Sequence, residues 1–110
     1  MKVLTTLKKN KEYRIVYSRG KSLADRYLVV YFLANNLEFC RFGFTVSKKT
    51  GNAVTRNRIR RLLKEACRLN HNIFSGGFDL VFVARRGIVA LDYRQVEESL
   101  LKLVKKVYKR

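Results

Sequence analysis

The sequence predicts an α+β domain, a two-layer sandwich in which helices pack on a mixed β-sheet. Three observations carry this. β-branched and aromatic runs at 27–33, 39–47 and 79–85 have the length and composition of strands. Residues 59–67 and 96–107 repeat apolar side chains at helical spacing. The order strand, helix, strand between 39 and 85 implies a parallel pairing within the sheet. With 110 residues, no Pro, no internal repeat and no low-complexity linker, the chain is expected to form one domain, 1–110.

Asn10 is the expected cap of a first helix running to about Arg19, with Tyr13, Val16 and Tyr17 on one face and Gly20 at C′. Tyr27 to Leu33 is apolar and aromatic throughout, as in a strand covered in part on both faces, and 34–38 supplies a short turn. Phe39 to Ser47 alternates: Cys40, Phe42, Phe44 and Val46 point one way, Arg41, Gly43, Thr45 and Ser47 the other. These two segments are expected to pair as an antiparallel hairpin. After a polar loop, Thr55 is the expected cap of a second helix whose Ile59, Leu62, Leu63, Ala66 and Cys67 form a stripe that must face the sheet. Asp79 to Arg85 follows as a strand. Asp92 with Gln95 makes a capping box for a last helix, which buries Val96, Leu100, Leu103, Val104 and Val107.

Charge narrows the function. Twenty-five Lys and Arg stand against 8 Asp and Glu, a formal net charge of +17, while a hydrophobic fraction of 47% excludes reading the charge as plain disorder. A folded module whose normal partner is a polyanion is the consequence. No apolar run approaches the ~20 residues of a membrane span, so the expectation is a cytoplasmic protein with no membrane partner. Cys40 and Cys67 lack a CxxC spacing and read as small buried hydrophobes. His71 is the only histidine, the acids are scattered, and adjacent Glu97 and Glu98 diverge by about 100° on a helix, so neither a catalytic set nor a metal site is expected in the protein.

Two constellations suit a nucleic acid. Between Arg41 and Lys64 stand Arg41, Lys48, Lys49, Arg56, Arg58, Arg60, Arg61 and Lys64 without one acid. On the second helix Arg56, Asn57, Arg60, Arg61, Lys64 and Arg68 share a continuous sector, with Arg58 on the far flank of the apolar stripe. Helix N-terminal amides and Arg forks both attract phosphate. The second constellation is Tyr13, Tyr17 and Tyr31, with Lys11, Arg14, Arg19, Lys21 and Arg26 around them. These rings either line a groove where single-stranded bases stack or serve as core aromatics with hydroxyls at the rim. A helix-turn-helix reading fails, because no tight preceding helix and turn precede Arg56.

The run Ser47-Lys48-Lys49-Thr50-Gly51-Asn52-Ala53-Val54-Thr55-Arg56-Asn57-Arg58-Ile59-Arg60-Arg61 resembles the signature of the bacterial ribonuclease P protein subunit. Leu7 to Tyr13, Gly20-Lys21-Ser22 and Phe78 to Arg85 are similar to further segments of that family. The resemblance implies a small protein bound to a large catalytic RNA, the ribonuclease P RNA, the pair acting as an endonuclease that removes the 5′ leader from precursor tRNA. It also implies that the RNA carries the chemistry with its Mg²⁺ ions, with no organic cofactor and no required protein partner. The implied fold is like the second domain of ribosomal protein S5, with a left-handed βαβ crossover. Positions implied to contact the catalytic RNA are Arg56, Asn57, Arg58, Arg60, Arg61, Lys64 and Arg68, with Lys48, Lys49 and Asn52. Those implied for the leader are Tyr13, Tyr17 and Tyr31, with Lys21 and Ser47, Tyr standing at the first two where Phe is often seen.

Overall fold

The computed structural model of the chain describes residues 4–109. It runs α1 (Asn10–Arg19), β1 (Lys21–Ala24), β2 (Leu28–Ala34), β3 (Arg41–Thr45), α2 (Ala53–Leu69), β4 (Phe78–Ala84) and α3 (Tyr93–Tyr108), with 3-10 turns at Lys48–Thr50, His71–Ile73 and Arg86–Ala90. The four strands form one mixed sheet in the order β1-β2-β4-β3. β3 and β4 are parallel, as the intervening α2 requires, with Arg41 beside Asp79 and Thr45 beside Val83.

The expected hairpin between 27–33 and 39–47 does not form, because β4 inserts between β2 and β3. The physical reason lies in β4: Leu80, Val81 and Phe82 are all fully buried. A strand apolar on both faces needs cover on both faces and neighbours on both sides, so it takes the centre. The hairpin partner of β2 is instead β1, antiparallel from Lys21 opposite Phe32 to Ala24 opposite Val29. Asp25 closes that turn by accepting from the amides of Tyr27 (2.7 Å) and Leu28 (2.8 Å). β1 is only four residues long and mostly exposed, so it carried no alternation to read.

One face of the sheet meets two helices. Leu28, Val30, Phe32, Phe42, Leu80 and Phe82 pack against Ile59, Leu63, Ala66 and Cys67 of α2 and against Val96, Leu100, Leu103, Val104 and Val107 of α3. This is the sandwich the sequence predicts. The reverse face carries α1, through a smaller cluster of Leu7, Val16 and Val81 with Tyr13, Tyr31, Leu33 and Val83 around them. Since apolar burial under α1 is small, polar contacts bear more of its attachment.

The caps differ from expectation at two helices. Lys9, not Asn10, is the N-cap of α1, and Glu12 Oε1 accepts from the amides of Lys8 and Lys9, both at 3.0 Å. Gly20 ends α1 in an extended conformation; its lack of a side chain matters because a Cβ there would lie 2.5 Å from the Val16 carbonyl oxygen. Asn52, not Thr55, caps α2, its Oδ1 accepting from the Thr55 amide at 2.9 Å. The Asp92 and Gln95 box at α3 is as expected. Thr5 to Leu7 run beside the outer border of β3, the Leu7 amide donating to the Phe42 carbonyl (2.8 Å) and the Phe42 amide to that of Thr5 (2.9 Å). Among the described residues no helix is long and apolar enough to cross a membrane.

Candidate nucleic-acid interface

α1 lies over the reverse face so that a groove opens between it and β3. Its floor depends on an absence: a Cβ at Gly43 would lie 2.6 Å from Tyr13 Cε2, so the missing side chain is what lets the Tyr13 ring settle on the strand. Burial there raises the Tyr13 phenol above its ordinary 10, opposed by the Phe44 amide, so the ring stays neutral and protonated. Tyr17, one turn further along, keeps 37% of its surface exposed. Its hydroxyl is hydrogen-bonded with Thr45 Oγ1 at 3.0 Å, and it meets Tyr31 edge-on at 4.9 Å between ring centres. The three tyrosines thus adjoin one another: Tyr13 is largely floor, Tyr17 is exposed in the groove, and half-buried Tyr31 braces the Tyr17 ring from β2.

The groove encloses about 690 Å³, and its lining includes Lys8, Asn10, Arg14, Thr45 and Arg60 besides Tyr13 and Tyr17. Arg60 reaches it from α2, held by its own Nη1 donating to Asn57 Oδ1 at 2.8 Å. The two constellations expected separately therefore meet at Arg60.

The other predicted cations divide. Arg61, Lys64, Lys48, Lys49 and Asn57 are exposed, the two lysines on the turn before α2. Arg58 donates from Nη2 to the Leu91 carbonyl at 3.1 Å, on the opposite flank of α2 from Arg60. Arg56 leans its Nε toward the Asn52 carbonyl at 3.4 Å, and its amide already donates to that same oxygen at 2.9 Å. Because Asn52 is the cap, the open amides of the first turn belong to Ala53 and Val54, next to Lys48 and Lys49, and Arg56-Asn57-Arg58 begins nearly a turn inside the helix. Arg68 is committed to Glu65, its Nε donating to Oε1 at 2.6 Å. Ser47 is exposed where β3 ends.

Lys21 is not gathered into the groove. It pairs opposite Phe32, whose side chain faces α2 and α3, whereas Ser22 pairs opposite Tyr31 and shares the groove face. Arg41, part of the acid-free run, is no free cation either. Its Nε and Nη2 grip Asp79 at 2.8 and 2.7 Å, and its Nη1 donates to Glu12 Oε2 at 3.0 Å. Asp79 also accepts from Asn35 Nδ2 at 2.9 Å. The hydrogen bond to Asp79 raises the guanidinium's already high pKa, and the Lys9 and Lys8 amides, with Arg41, lower that of Glu12. This clamp ties α1 to β3 and β4. Sequence reading missed Gly43 and Thr45 as site residues, although the alternation of 39–47 set both on the face that the groove uses.

Among the described residues that line the groove there is no Asp, Glu, His or Cys. Among the described residues no three His, Cys, Asp or Glu side chains are grouped to hold a metal. Glu12 and Asp79 are both engaged by Arg41. His71 sits on a turn with Nδ1 beside the Arg68 carbonyl at 3.2 Å, and burial pushes the Cys67 thiol far above its ordinary range.

Fold and surface define a class: a small, strongly basic α+β domain with an aromatic groove set against a helical row of cations. Residues 1–108 match the family model described as Ribonuclease P, and the chain belongs to that family. It is 61% identical over 106 residues to the ribonuclease P protein component of Pelotomaculum thermopropionicum, covering 96% of this chain and 95% of that one. To the component of Alkaliphilus metalliredigens it is 46% identical, covering 92% and 91%. Among solved structures, the ribonuclease P protein of Thermotoga maritima superposes with a TM-score of 0.86 at 32% identity, covering 92% of this chain and 96% of that one. That of Staphylococcus aureus superposes at 0.88 and 32%, covering 96% of each.

Proposed function

We propose that the chain is the protein component of a cytoplasmic ribonuclease P ribonucleoprotein, which removes the 5′ leader of precursor tRNA by RNA-borne, Mg²⁺-dependent hydrolysis. In this reading the exposed side of α2, with Arg61, Lys64 and the Lys48 and Lys49 turn, holds the catalytic RNA. The groove between α1 and β3 holds the single-stranded leader. The observation that carries the reading is that Tyr13 and exposed Tyr17 line one groove with Arg60, aromatic rings beside a guanidinium, while Tyr31 braces the Tyr17 ring edge-on.

Each part has a physical role. A base stacked on an aromatic side chain gains roughly 1–3 kcal/mol, so one base on Tyr17 favours precursor over mature tRNA by a factor of about 5 to 150. Arg60 and Arg14 neutralise leader phosphates, and α2 fixes the groove beside the RNA that cuts. Mg²⁺ belongs to the RNA in this reading, since Glu12 and Asp79 are spent on Arg41. The protein's cations lower phosphate repulsion, work that added Mg²⁺ otherwise does.

Reconstitution with a bacterial ribonuclease P RNA at low Mg²⁺ tests this. The protein should restore cleavage of precursor tRNA, and the RNA-free protein should not cleave. Cleavage at the leader junction by the protein alone would refute RNA-borne catalysis. Tyr17→Ala should weaken binding of leader-bearing substrate and leave mature tRNA nearly unaffected; equal loss for both would make Tyr17 a packing residue.

A further inference from the structure

Two side chains of α1 serve two separate recesses. Arg14 and Tyr17 line the groove from within, and the same two residues line a shallow recess of about 430 Å³ on the outward side of the helix, with Lys11, Ile15 and Ser18. At 100° per residue, Lys11, Arg14, Ile15 and Ser18 occupy one sector of about 100°, turned away from buried Val16. Ile15 keeps 39% of its surface exposed there, at the sector's edge beside Lys11. Among the described residues neither Lys11 nor Arg14 is ion-paired, and Glu12, the one acid of α1, is held by Arg41 on another side.

We propose that this recess is a second single-strand subsite. A strand lying in the groove crosses α1 over Arg14 and Tyr17, sets its next phosphates by Arg14 and Lys11, and lays a base against Ile15. Charge alone would suit any acidic partner; adjacency to the groove through two shared residues commits the recess to the same strand. An apolar side chain in one recess with two cations also suits a polynucleotide, which offers bases and phosphates side by side. The inference rests on the groove holding the 5′ leader.

The test is the double variant Lys11→Gln with Ile15→Gln, both outside the groove, in holoenzyme reconstituted with a bacterial ribonuclease P RNA. Binding is measured for mature tRNA, for precursor with a leader that only fills the groove, and for precursor with a longer leader. One phosphate contact contributes about 0.7 to the log-log salt slope of a single strand, which is about fourfold in affinity at physiological salt. The unaltered protein should gain at least that from the longer leader. The variant should lose the gain and keep its preference for the short leader over mature tRNA. A variant that keeps the gain, or an unaltered protein that shows none, overturns the subsite. Equal binding of mature tRNA and both precursors by the unaltered protein would instead remove the leader groove itself.

Discussion

Arg41→Ala is expected to be among the most damaging single changes on the α1 side of the sheet. The Asp79 side chain retains 8% of its surface and that of Arg41 27%, so this pair is mostly out of water. Truncating Arg41 leaves the carboxylate with the Asn35 amide in place of two charged hydrogen bonds. Removing one partner of a buried pair costs about 3–5 kcal/mol. The outer arm to Glu12, with side chains 27% and 28% exposed, adds at most about 1 kcal/mol. With a urea slope of about 1.5 kcal/mol per molar, the unfolding midpoint should fall by roughly 2–4 M. Arg41→Met combined with Asp79→Leu should recover most of that loss, because an apolar pair carries no desolvation cost. A loss below about 1 kcal/mol for Arg41→Ala, the size of a surface pair, would refute the reasoning.

Gly43→Ala should drive the Tyr13 ring off β3, cost about 1–3 kcal/mol in denaturant unfolding, and reduce the preference for leader-bearing substrate; unchanged leader preference would show that the floor does not need Tyr13. Glu12 has a pKa depressed below its ordinary 4.5, chiefly by the Lys9 and Lys8 amides, so its contribution is present above that value and lost as pH falls through the depressed one. The urea midpoint should therefore drop on acidification more steeply in the unaltered protein than in Glu12→Gln; parallel curves would count against the hold of the Lys8 and Lys9 amides on this carboxylate. Arg60→Gln should lower leader-dependent binding, whereas Arg61→Gln should lower the salt slope of catalytic-RNA binding by about 0.7 to 0.9 without touching leader preference. Identical profiles for the two would mean that Arg60 does not serve the groove.

What the sequence made legible was periodic and local. The α2 stripe and the Asp92 box fell where spacing put them, because each depends on residues within a turn or two of one another. The strand order did not, because the apolar faces of β4 declare burial but not which strands will flank it. Arg41 looked like one more free cation, since its partner Asp79 lies 38 residues downstream. Lys21 was assigned to the tyrosines by proximity in the chain, yet a single step of register separates it from Ser22 and sends it to the other face. Asn52 escaped as a cap because Ala53 and Val54 carry no polar signal for a first turn.

The clip of Thr5 to Leu7 along β3 has a consequence for association. An open sheet border is a template on which another chain can add a strand, and long apolar borders aggregate. Here one border is engaged at Phe42 by the chain's own backbone, and the other, β1, is four residues long and begins with a lysine. Backbone templating is thereby limited on both sides, and recognition leans on side chains. Removing residues through Leu7 would uncover the five-residue β3 and trade a nucleic-acid module for a self-adhesive one.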